Sequence, residues 1–591
     1  MKPRTTNKRL SPADRMPEKR EYVGTLQLNW RGGYVVTDHR QLSADVFVPD
    51  HLLGDARNGQ KVVVRLTQWK RYKRYPEGEI IQILGQAGDN DTEMHSILAQ
   101  FGLPYQYPAE AEAEADAIEE GISEAELLRR KDMREVTTFT IDPADAKDFD
   151  DALSVRSLNN GDTEVGVHIA DVTHYVRPDT LLDKEAFSRG TSVYLVDRVI
   201  PMLPERLSNG ICSLRPDEDK LCFSVIFVLD SEANVKKYNI KQTVIRSNRR
   251  FSYDEAQQRL DTGQGDYAPE LALLNSLAQQ LRERRFSNGA VAFDREEPAF
   301  TLDDNGKPLN IYFKQLKEAN WLIEEFMLLA NRTVAELIGS LAGKRETPRT
   351  FVYRVHDVPD PDKMQEFAAF VRHFGYRLDV SARTTTAHSL NRLLSDVKGT
   401  PQQDMIELLA VRSMAKAVYS TDNIGHYGLA FRFYTHFTSP IRRYPDMMVH
   451  RLLKQYMKGK AEAPKEETEE RCRHCSGQEQ LAVAAERASV KYKQAEFMQG
   501  NIGKEYDGII TGVTDWGVYV ELVENKCEGL VPMRVISDFY HDWFFLDESS
   551  FFIEGAQTGV KLSLGDPLRV SIAQADLEKR QLDFDIVKSD W

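Results

Sequence analysis

The sequence predicts a multidomain α+β protein in which a central mixed α/β body is flanked by two OB-type β-barrels. Three observations lead there. At 591 residues the chain exceeds what one hydrophobic core normally holds. Short segments of period-two alternation, broken by Gly, Asp and Asn, gather near both ends. Between them runs a long stretch that mixes strand-like and helix-like patterns. Hydrophobic residues make up 41% and charged residues 28%, a balance that excludes a globally disordered chain.

Residues 1–20 read as a polar, basic tail. In 21–87 the segments Tyr22–Leu26, Gly33–Val36, Asp45–Val48 and Lys61–Leu66 suggest the strands of a small cold-shock or OB-like barrel. Beside the last of them, Trp69-Lys70-Arg71-Tyr72-Lys73-Arg74-Tyr75 interleaves cations with aromatics. Lys70, Arg71 and Lys73 are therefore candidate nucleic-acid contacts. Residues 88–133 place Ala, Glu and Leu at helical spacing, interrupted at Pro104 and Pro108, and read as a helical connector.

The body, 134–456, contains strands such as Val165–Ala170 and helices such as Trp321–Leu337. A helical linker, 457–502, opens on the charged stretch Lys458–Arg471 and continues as a helix from about Gln478 to Met498. In 503–588 the strand, turn, strand pattern of Gly508–Leu522, followed by Glu528–Pro532, predicts the second OB barrel. Trp516 and Tyr519 are its candidate stacking residues, with core packing as the competing reading.

No apolar run is long enough to span a bilayer, and Met1–Arg20 lacks an apolar signal core, so a cytoplasmic location without a membrane partner is expected. Five scattered cysteines fit reduced thiols better than a disulfide framework. Cys472 and Cys475, with His474 between, have the spacing of half a zinc site, but no second pair follows and tetrahedral zinc needs four ligands. A helix start carrying small thiols is the better reading. The formal net charge of −14 argues against a polyanionic partner. Yet acidic residues concentrate between Glu110 and Glu126, while basic ones recur at Arg246, Arg249 and Arg250, and local patches can bind what the average repels.

The densest chemical signal runs from Asp142 to Asp151, Asp-Pro-Ala-Asp-Ala-Lys-Asp-Phe-Asp-Asp, between the apolar strand-like segments Thr137–Ile141 and Ala152–Val155. Like charges this close repel by about 1 kcal/mol per pair at 4 Å in water, and more where water is excluded. A hard divalent cation compensates, and all-oxygen sites suit magnesium or manganese rather than zinc. A calcium EF-hand fails, because counting from Asp148 its sixth and twelfth positions are Leu153 and Asn159. The bland reading is a solvated acidic turn, which the apolar flanks argue against. Metal ions there would suit phosphoryl transfer to water. Arg442 and Arg443, in Thr438–Asp446, could supply a cation for the charged transition state, although most Arg pairs are surface charges.

Ile141–Leu153, Arg189–Tyr194 leading to Ile200–Glu205, and Thr438–Asp446 together resemble the catalytic domain of the ribonuclease II/R (RNB) family, and occur in that family's order. With His426–Ala430, Leu322–Glu325 and the S1-type C-terminal barrel, the resemblance covers nearly everything from Glu21 to Ile586. It implies processive 3′-to-5′ hydrolysis of single-stranded RNA to nucleoside 5′-monophosphates, with Mg2+, or alternatively Mn2+, as cofactor. Residue by residue it makes Asp142, Asp148 and Asp151 metal ligands and Asp150 both a ligand and the carboxylate most critical for chemistry. Arg442 matches the arginine near the scissile phosphate, Tyr194 the aromatic that stacks on the terminal base, and Phe293 its partner in the clamp. Glu324 and Glu325 could contact the sugar or base near the 3′ end, although two glutamates on a helix are usually just a polar face. Stacking is worth about 1–3 kcal/mol per base and ignores sequence, as a processive enzyme requires.

Within the family, Asp145–Ala152 and Thr191–Arg198 look most like the ribonuclease R branch. That branch usually carries an N-terminal helix-turn-helix-like region, two cold-shock domains and a lysine-rich tail. Here one N-terminal barrel is expected, and a shortened relative or truncated form. Digestion of structured RNA is left open, and protein partners in RNA decay or at the ribosome are not identified. The rival readings are a catalytically inactive RNA-binding protein of the same fold, an endonuclease, and a DNA-directed nuclease.

Overall fold

The structure, a computed structural model, describes residues 19–30, 32–38, 42, 44–69, 74–291, 297–341, 349–400, 402–547 and 551–588. Alternating apolar residues close the N-terminal barrel. Strands β1 (Glu21–Asn29), β2 (Gly32–Thr37), β3 (Val46–Val48), β4 (Gln60–Gln68) and β5 (Glu77–Gln86) join in the order β1-β2-β3-β5-β4. Leu26, Val35, Val46, Val62 and Val64 fill it. β5 escaped the sequence reading because its pairing with β4 slips at three places, which breaks the period-two pattern.

Three helices connect the barrel to the body: α1 (Asn90–Gln100), α2 (Ala109–Asp116) and α3 (Glu124–Arg129). Pro104 and Pro108 lie between the first two, as the pattern requires. Ser123 caps α3 by accepting the Glu126 N–H at 3.3 Å.

The body is built on seven strands in the order β14-β7-β8-β9-β12-β13-β6. In chain order they are β6 (Lys131–Asp132), β7 (Thr138–Asp142), β8 (Asp151–Ser157), β9 (Thr163–Ala170), β12 (Asp219–Leu229), β13 (Val235–Arg246) and β14 (Arg249–Ser252). Between β9 and β12 come α4 (Val172–Tyr175), α5 (Leu181–Arg189) and the short pair β10 (Val193–Tyr194) and β11 (Val199–Ile200). β12 is buried along nearly its whole length, and its apolar run reflects cover on both faces.

Next come α6 (Tyr253–Thr262), α7 (Ala268–Ser287), the hairpin β15 (Glu297–Leu302) and β16 (Pro308–Lys314), and α8 (Glu318–Leu341). β17 (Tyr353–Val355) pairs with β18 (Val418–Ser420). Between them α9 (Pro361–His373), α10 (Arg383–Asp396) and α11 (Gln403–Ser413) share a core of their own around Met364, Phe367, Leu390 and Ile406. α12 (Tyr444–Met457) and α13 (Lys465–Gln499) follow.

α13 begins at Lys465, not near Gln478. The second half of the charged run expected to precede it, Lys465–Arg471, is already helical, and Glu467 and Arg471 pair one turn apart at 2.8 Å. Cys472 and Cys475 line its buried side, and all five cysteines are free and buried.

The C-terminal barrel closes as β19 (Glu505–Thr514), β20 (Gly517–Leu522), β21 (Glu528–Pro532), β26 (Gln581–Ile586) and β25 (Pro567–Asp576). Between β21 and β25 come α14 (Met533–Tyr540) and a separate sheet of β22 (Phe544–Asp547), β23 (Phe552–Gly555) and β24 (Lys561–Ser563).

Buried charges join these parts. Arg130, beyond α3, pairs with Glu126 at 2.9 Å and with Asp171 at 2.8 Å, and Lys454 of α12 reaches the other oxygen of Asp171. On α13 the buried Lys493 donates to Asn90 Oδ1 at 2.7 Å, the Gly306 carbonyl at 2.6 Å and Glu496 at 2.7 Å. Arg580 of the C-terminal barrel donates to Gln100 Oε1 of α1 at 3.0 Å. Among the described residues no helix is long and apolar enough to cross a membrane.

Candidate active site

β7 and β8 pair at Thr138 with Ser154 and Phe139 with Leu153, then part. Asp142 ends one strand and Asp151 opens the other, so the loop between them hangs at one end of the sheet. Its path is fixed from several sides. The Ala146 N–H closes a turn on the Pro143 carbonyl at 3.1 Å. Arg250 of β14 donates to the Ala144 carbonyl at 2.9 Å. Ser213 accepts the Phe149 N–H at 3.0 Å and donates to the Lys147 carbonyl at 2.7 Å.

Asp150 is 4% exposed. Its Oδ1 accepts the Ile441 N–H at 2.8 Å, whereas its Oδ2 has no hydrogen-bond partner and lies 3.7 Å from Arg442 Nε. The Oδ2 of Asp142 is likewise buried without one. Burial raises all four carboxyls above their ordinary range: Asp142 to about 7, helped by the charge on Asp151, and Asp151 itself to about 6. Asp148 is raised, and Asp150 is raised strongly. Carboxylates so placed are short of positive charge.

Their donor set, buried carboxylate oxygens turned into one loop, fits a hard divalent cation. Among the described residues no three His, Cys, Asp or Glu side chains converge as a ready ligand cluster. Magnesium is commonly held by only one or two carboxylates, with waters and substrate phosphates completing its shell, so this spread-out set is compatible with it.

The arginine segment is braced internally. Asp446, fully buried, accepts the Ser439 N–H at 2.8 Å and takes two bonds from Arg443, at 2.9 and 2.8 Å. Arg443 therefore belongs to the scaffold, with its charge still felt at Asp151, and Arg442 is the one that lies against Asp150. The same segment is bonded to the one that carries Tyr194. Ser192 N–H donates to the Arg442 carbonyl at 2.9 Å, Thr191 Oγ1 to the same carbonyl at 3.1 Å, and Tyr444 N–H to the Gly190 carbonyl at 3.0 Å. Gly190, with φ +69°, also lies so close to α13 that a Cβ would meet Gln478 Cβ at 2.8 Å. Tyr194 is 38% exposed and stands within electrostatic reach of Arg442, Asp148 and Asp150.

Tyr253 was missed from sequence. Ser252 lies beside Asp142 across β14 and β7 and forms a capping box with Glu255, which sets Tyr253 at the first turn of α6. Its phenol is within reach of the charges on Asp151, Asp142 and Arg442. The Ser-Tyr-Asp-Glu run was the available signal.

Other expected residues are dispersed. Glu325 is buried on α8, where Arg285 Nε donates to it at 3.1 Å, and it borders a cavity of about 780 Å³ shared with Lys237, Arg332, Phe431 and Arg432. Trp516, at the β19–β20 turn, is 69% exposed, while Tyr519 is partly buried against Gly512. Phe293, Lys70, Arg71 and Lys73 lie outside the described residues. On the N-terminal barrel, Tyr34 packs against Phe47 and Tyr75, with ring centroids 5.3 and 5.4 Å away, an aromatic cluster not foreseen from the sequence.

Residues 130–459 match the RNB domain, 34–108 a cold shock domain and 500–586 an S1 RNA binding domain. An RNB body between two such barrels defines the class, the RNB-domain ribonucleases. Ribonuclease R of Thermotoga maritima is 38% identical over 96% of this chain and 81% of its own length. That of Aquifex aeolicus is 39% identical over 90% of this chain and 75% of its own. A structure of Mycoplasma genitalium RNase R in complex with ribose-methylated single-stranded RNA shares the fold, with a TM-score of 0.89, 24% identity and coverage of 96% and 90% of the two chains. The chain belongs to the ribonuclease R family.

Proposed function

We propose that this chain is a metal-dependent exoribonuclease that degrades single-stranded RNA processively from the 3′ end, releasing nucleoside 5′-monophosphates. The observation that carries this reading is Asp150, locked through one oxygen by the Ile441 N–H with the other turned to Arg442. Asp142, Asp148, Asp150 and Asp151 would hold the cation, with Mg2+ favoured and Mn2+ acceptable to the same oxygen donors. When bound, such an ion acidifies a coordinated water and offsets charge on the phosphoryl oxygens.

The protein's own groups do the rest. Asp150 accepts a hydrogen bond from the attacking water on the oxygen that Ile441 leaves unbonded, and so orients it. Arg442 faces the charge that grows on the equatorial oxygens, where a guanidinium counts most with water excluded. Tyr194 stacks on the terminal base and, with Phe293, aligns the last phosphodiester, while Tyr253 and Glu325 border the terminal sugar. Residues 21–87 and 503–588 guide the strand with the help of Lys70, Arg71, Lys73, Trp516 and Tyr519. Residues 134–456 cut, and 88–133 and 457–502 act as spacers. Five buried thiols, none in a disulfide, fit a cytoplasmic location.

Digestion of a 5′-labelled poly(A) oligomer tests this reading. With Mg2+ the full-length RNA passes to one short labelled product, and EDTA or Asp150→Asn abolishes the change. RNA that stays intact in every lane but still shifts in a gel would leave an RNA-binding protein instead.

A further inference from the structure

The C-terminal barrel closes without the sheet β22-β23-β24, and Phe551 and Leu564, which flank that sheet's strands, pack against the core of α9–α11. The sheet's two faces differ. Phe544, Leu546, Ile553 and Leu562 pack into the core of the C-terminal region. Side chains alternate along a strand, so Trp543, Phe545 and Phe552 share the opposite face. The register agrees, with Phe545 opposite Glu554 and Glu554 opposite Lys561. Trp543 is 79% exposed and Phe545 52%, and Lys561 Nζ lies 4.3 Å from the centre of the Phe552 ring.

The turn that presents Trp543 is firmly built. His541 adopts a left-handed φ of 54°, uncommon outside glycine. Asp542, 5% exposed, accepts the backbone N–H of Trp543 at 2.7 Å, of Gln557 at 2.9 Å and of Thr558 at 2.7 Å, together with the Thr558 hydroxyl at 2.7 Å. The Trp543 carbonyl in turn accepts the Ala556 N–H at 2.8 Å. The backbone under this exposed indole is thus fixed before any ligand arrives, which lowers the ordering cost of binding.

One short helix connects this face in the chain to the exposed Trp516 of the barrel. The Trp516 carbonyl accepts the N–H of Met533, the first residue of α14, and Trp543 stands just beyond the helix's far end. Eight helical residues span roughly 12 Å, so the backbones of the two tryptophans lie near the two ends of one short helix. Charged residues interrupt the rings on the sheet, with Lys561 paired to Glu554 at 3.4 Å. Such spacing suits separate planar bases better than a continuous apolar partner.

We propose that Trp543, Phe545 and Phe552, with Lys561, form a second stacking platform for single-stranded RNA, engaging bases upstream of those met by Trp516. The proposal rests on the chain being an RNA-degrading enzyme. On this reading the platform meets bases several nucleotides from the 3′ end, so it acts chiefly on longer strands.

The test compares affinities of the full chain and a Trp543→Ala/Phe545→Ala variant for poly(A) of about 5 and about 20 nucleotides, in EDTA. Loss of stacking on even one base converts to about a 5- to 140-fold weaker hold on the longer oligomer, with less than about a twofold change for the shorter. Trp543→Phe restores most of the loss. Equal losses at both lengths, or none at either, overturn the platform. So does a variant that binds both oligomers normally but sediments as a smaller species, because the face then joins two copies of the chain. Digestion of the longer oligomer by the wild-type chain with Mg2+ is scored separately, so failure of the enzymatic reading is distinguishable from failure of the platform. Both substituted side chains are exposed, and an unchanged melting temperature verifies folding.

Discussion

Ile441 gives its backbone N–H to Asp150 Oδ1 at 2.8 Å, joining segments 291 residues apart in the chain. The bond distinguishes two otherwise equivalent oxygens. Oδ1 is committed to the scaffold, and Oδ2 is left 3.7 Å from Arg442 Nε. Asp150 is therefore oriented as well as buried, and any change that moves residues 438–446 disturbs that orientation.

Arg442→Lys keeps the charge but loses the planar fork that matches phosphoryl oxygens. The expected result is a fall in kcat of about 100- to 1,000-fold, as for the removal of one transition-state donor, with RNA affinity changed far less. Single-turnover digestion beside filter binding separates the two quantities.

Arg443→Met leaves the Asp446 carboxylate buried and unpaired. Breaking such a pair costs about 3–5 kcal/mol, read as a drop in the urea midpoint. The double variant Arg443→Met/Asp446→Leu loses less stability than the single one, because no orphan charge remains. Both lose activity, since Arg442 and the Ile441 N–H are no longer held.

Asp171 carries the clearest pH signature. Burial alone would raise its carboxyl, but Lys454 and Arg130 hold it well below the usual range. A depressed carboxyl contributes stability that is present above its unfolded pKa of about 3.9 and lost as pH falls towards the folded value. Wild type and Asp171→Asn should therefore differ in urea midpoint by a constant amount above about pH 5. That gap should shrink by up to about 1.4 kcal/mol per pH unit below about pH 4. A gap that stays constant down to pH 3 would rule out this ion pair as its source.

Tyr194→Ala should leave folding untouched, because the ring is 38% exposed, and should weaken the hold on the last base by about 1–3 kcal/mol. On a sequencing gel the labelled end product changes length while cleavage persists.

The elements legible in the sequence are those whose pattern is local. The short apolar run around Val62, Val63 and Val64, and the aspartates between two apolar strands, needed no partner to be recognised. β5 was lost because its bulges break the period, and the first turns of α13 because charged residues disguise a helix supported by pairs such as Glu467–Arg471. At the site, residue types were legible but partners were not. Nothing in the Thr438–Asp446 run says which arginine is spent on Asp446 and which is left for the aspartates, and only the fold separates Arg443 from Arg442. The Ser-Tyr-Asp-Glu run marks Tyr253 only as the start of a helix, and it reaches the site because β14 lies beside β7.

The contact between Asp150 and Ile441 also has a consequence for biosynthesis. Chains emerge from the ribosome amino end first. A nascent chain that stops short of Ile441 already contains every aspartate of the loop, yet it lacks both the amide that orients Asp150 and the arginine beside it. The arrangement that the proposed chemistry needs is thus completed late in translation, once most of the polypeptide has been made.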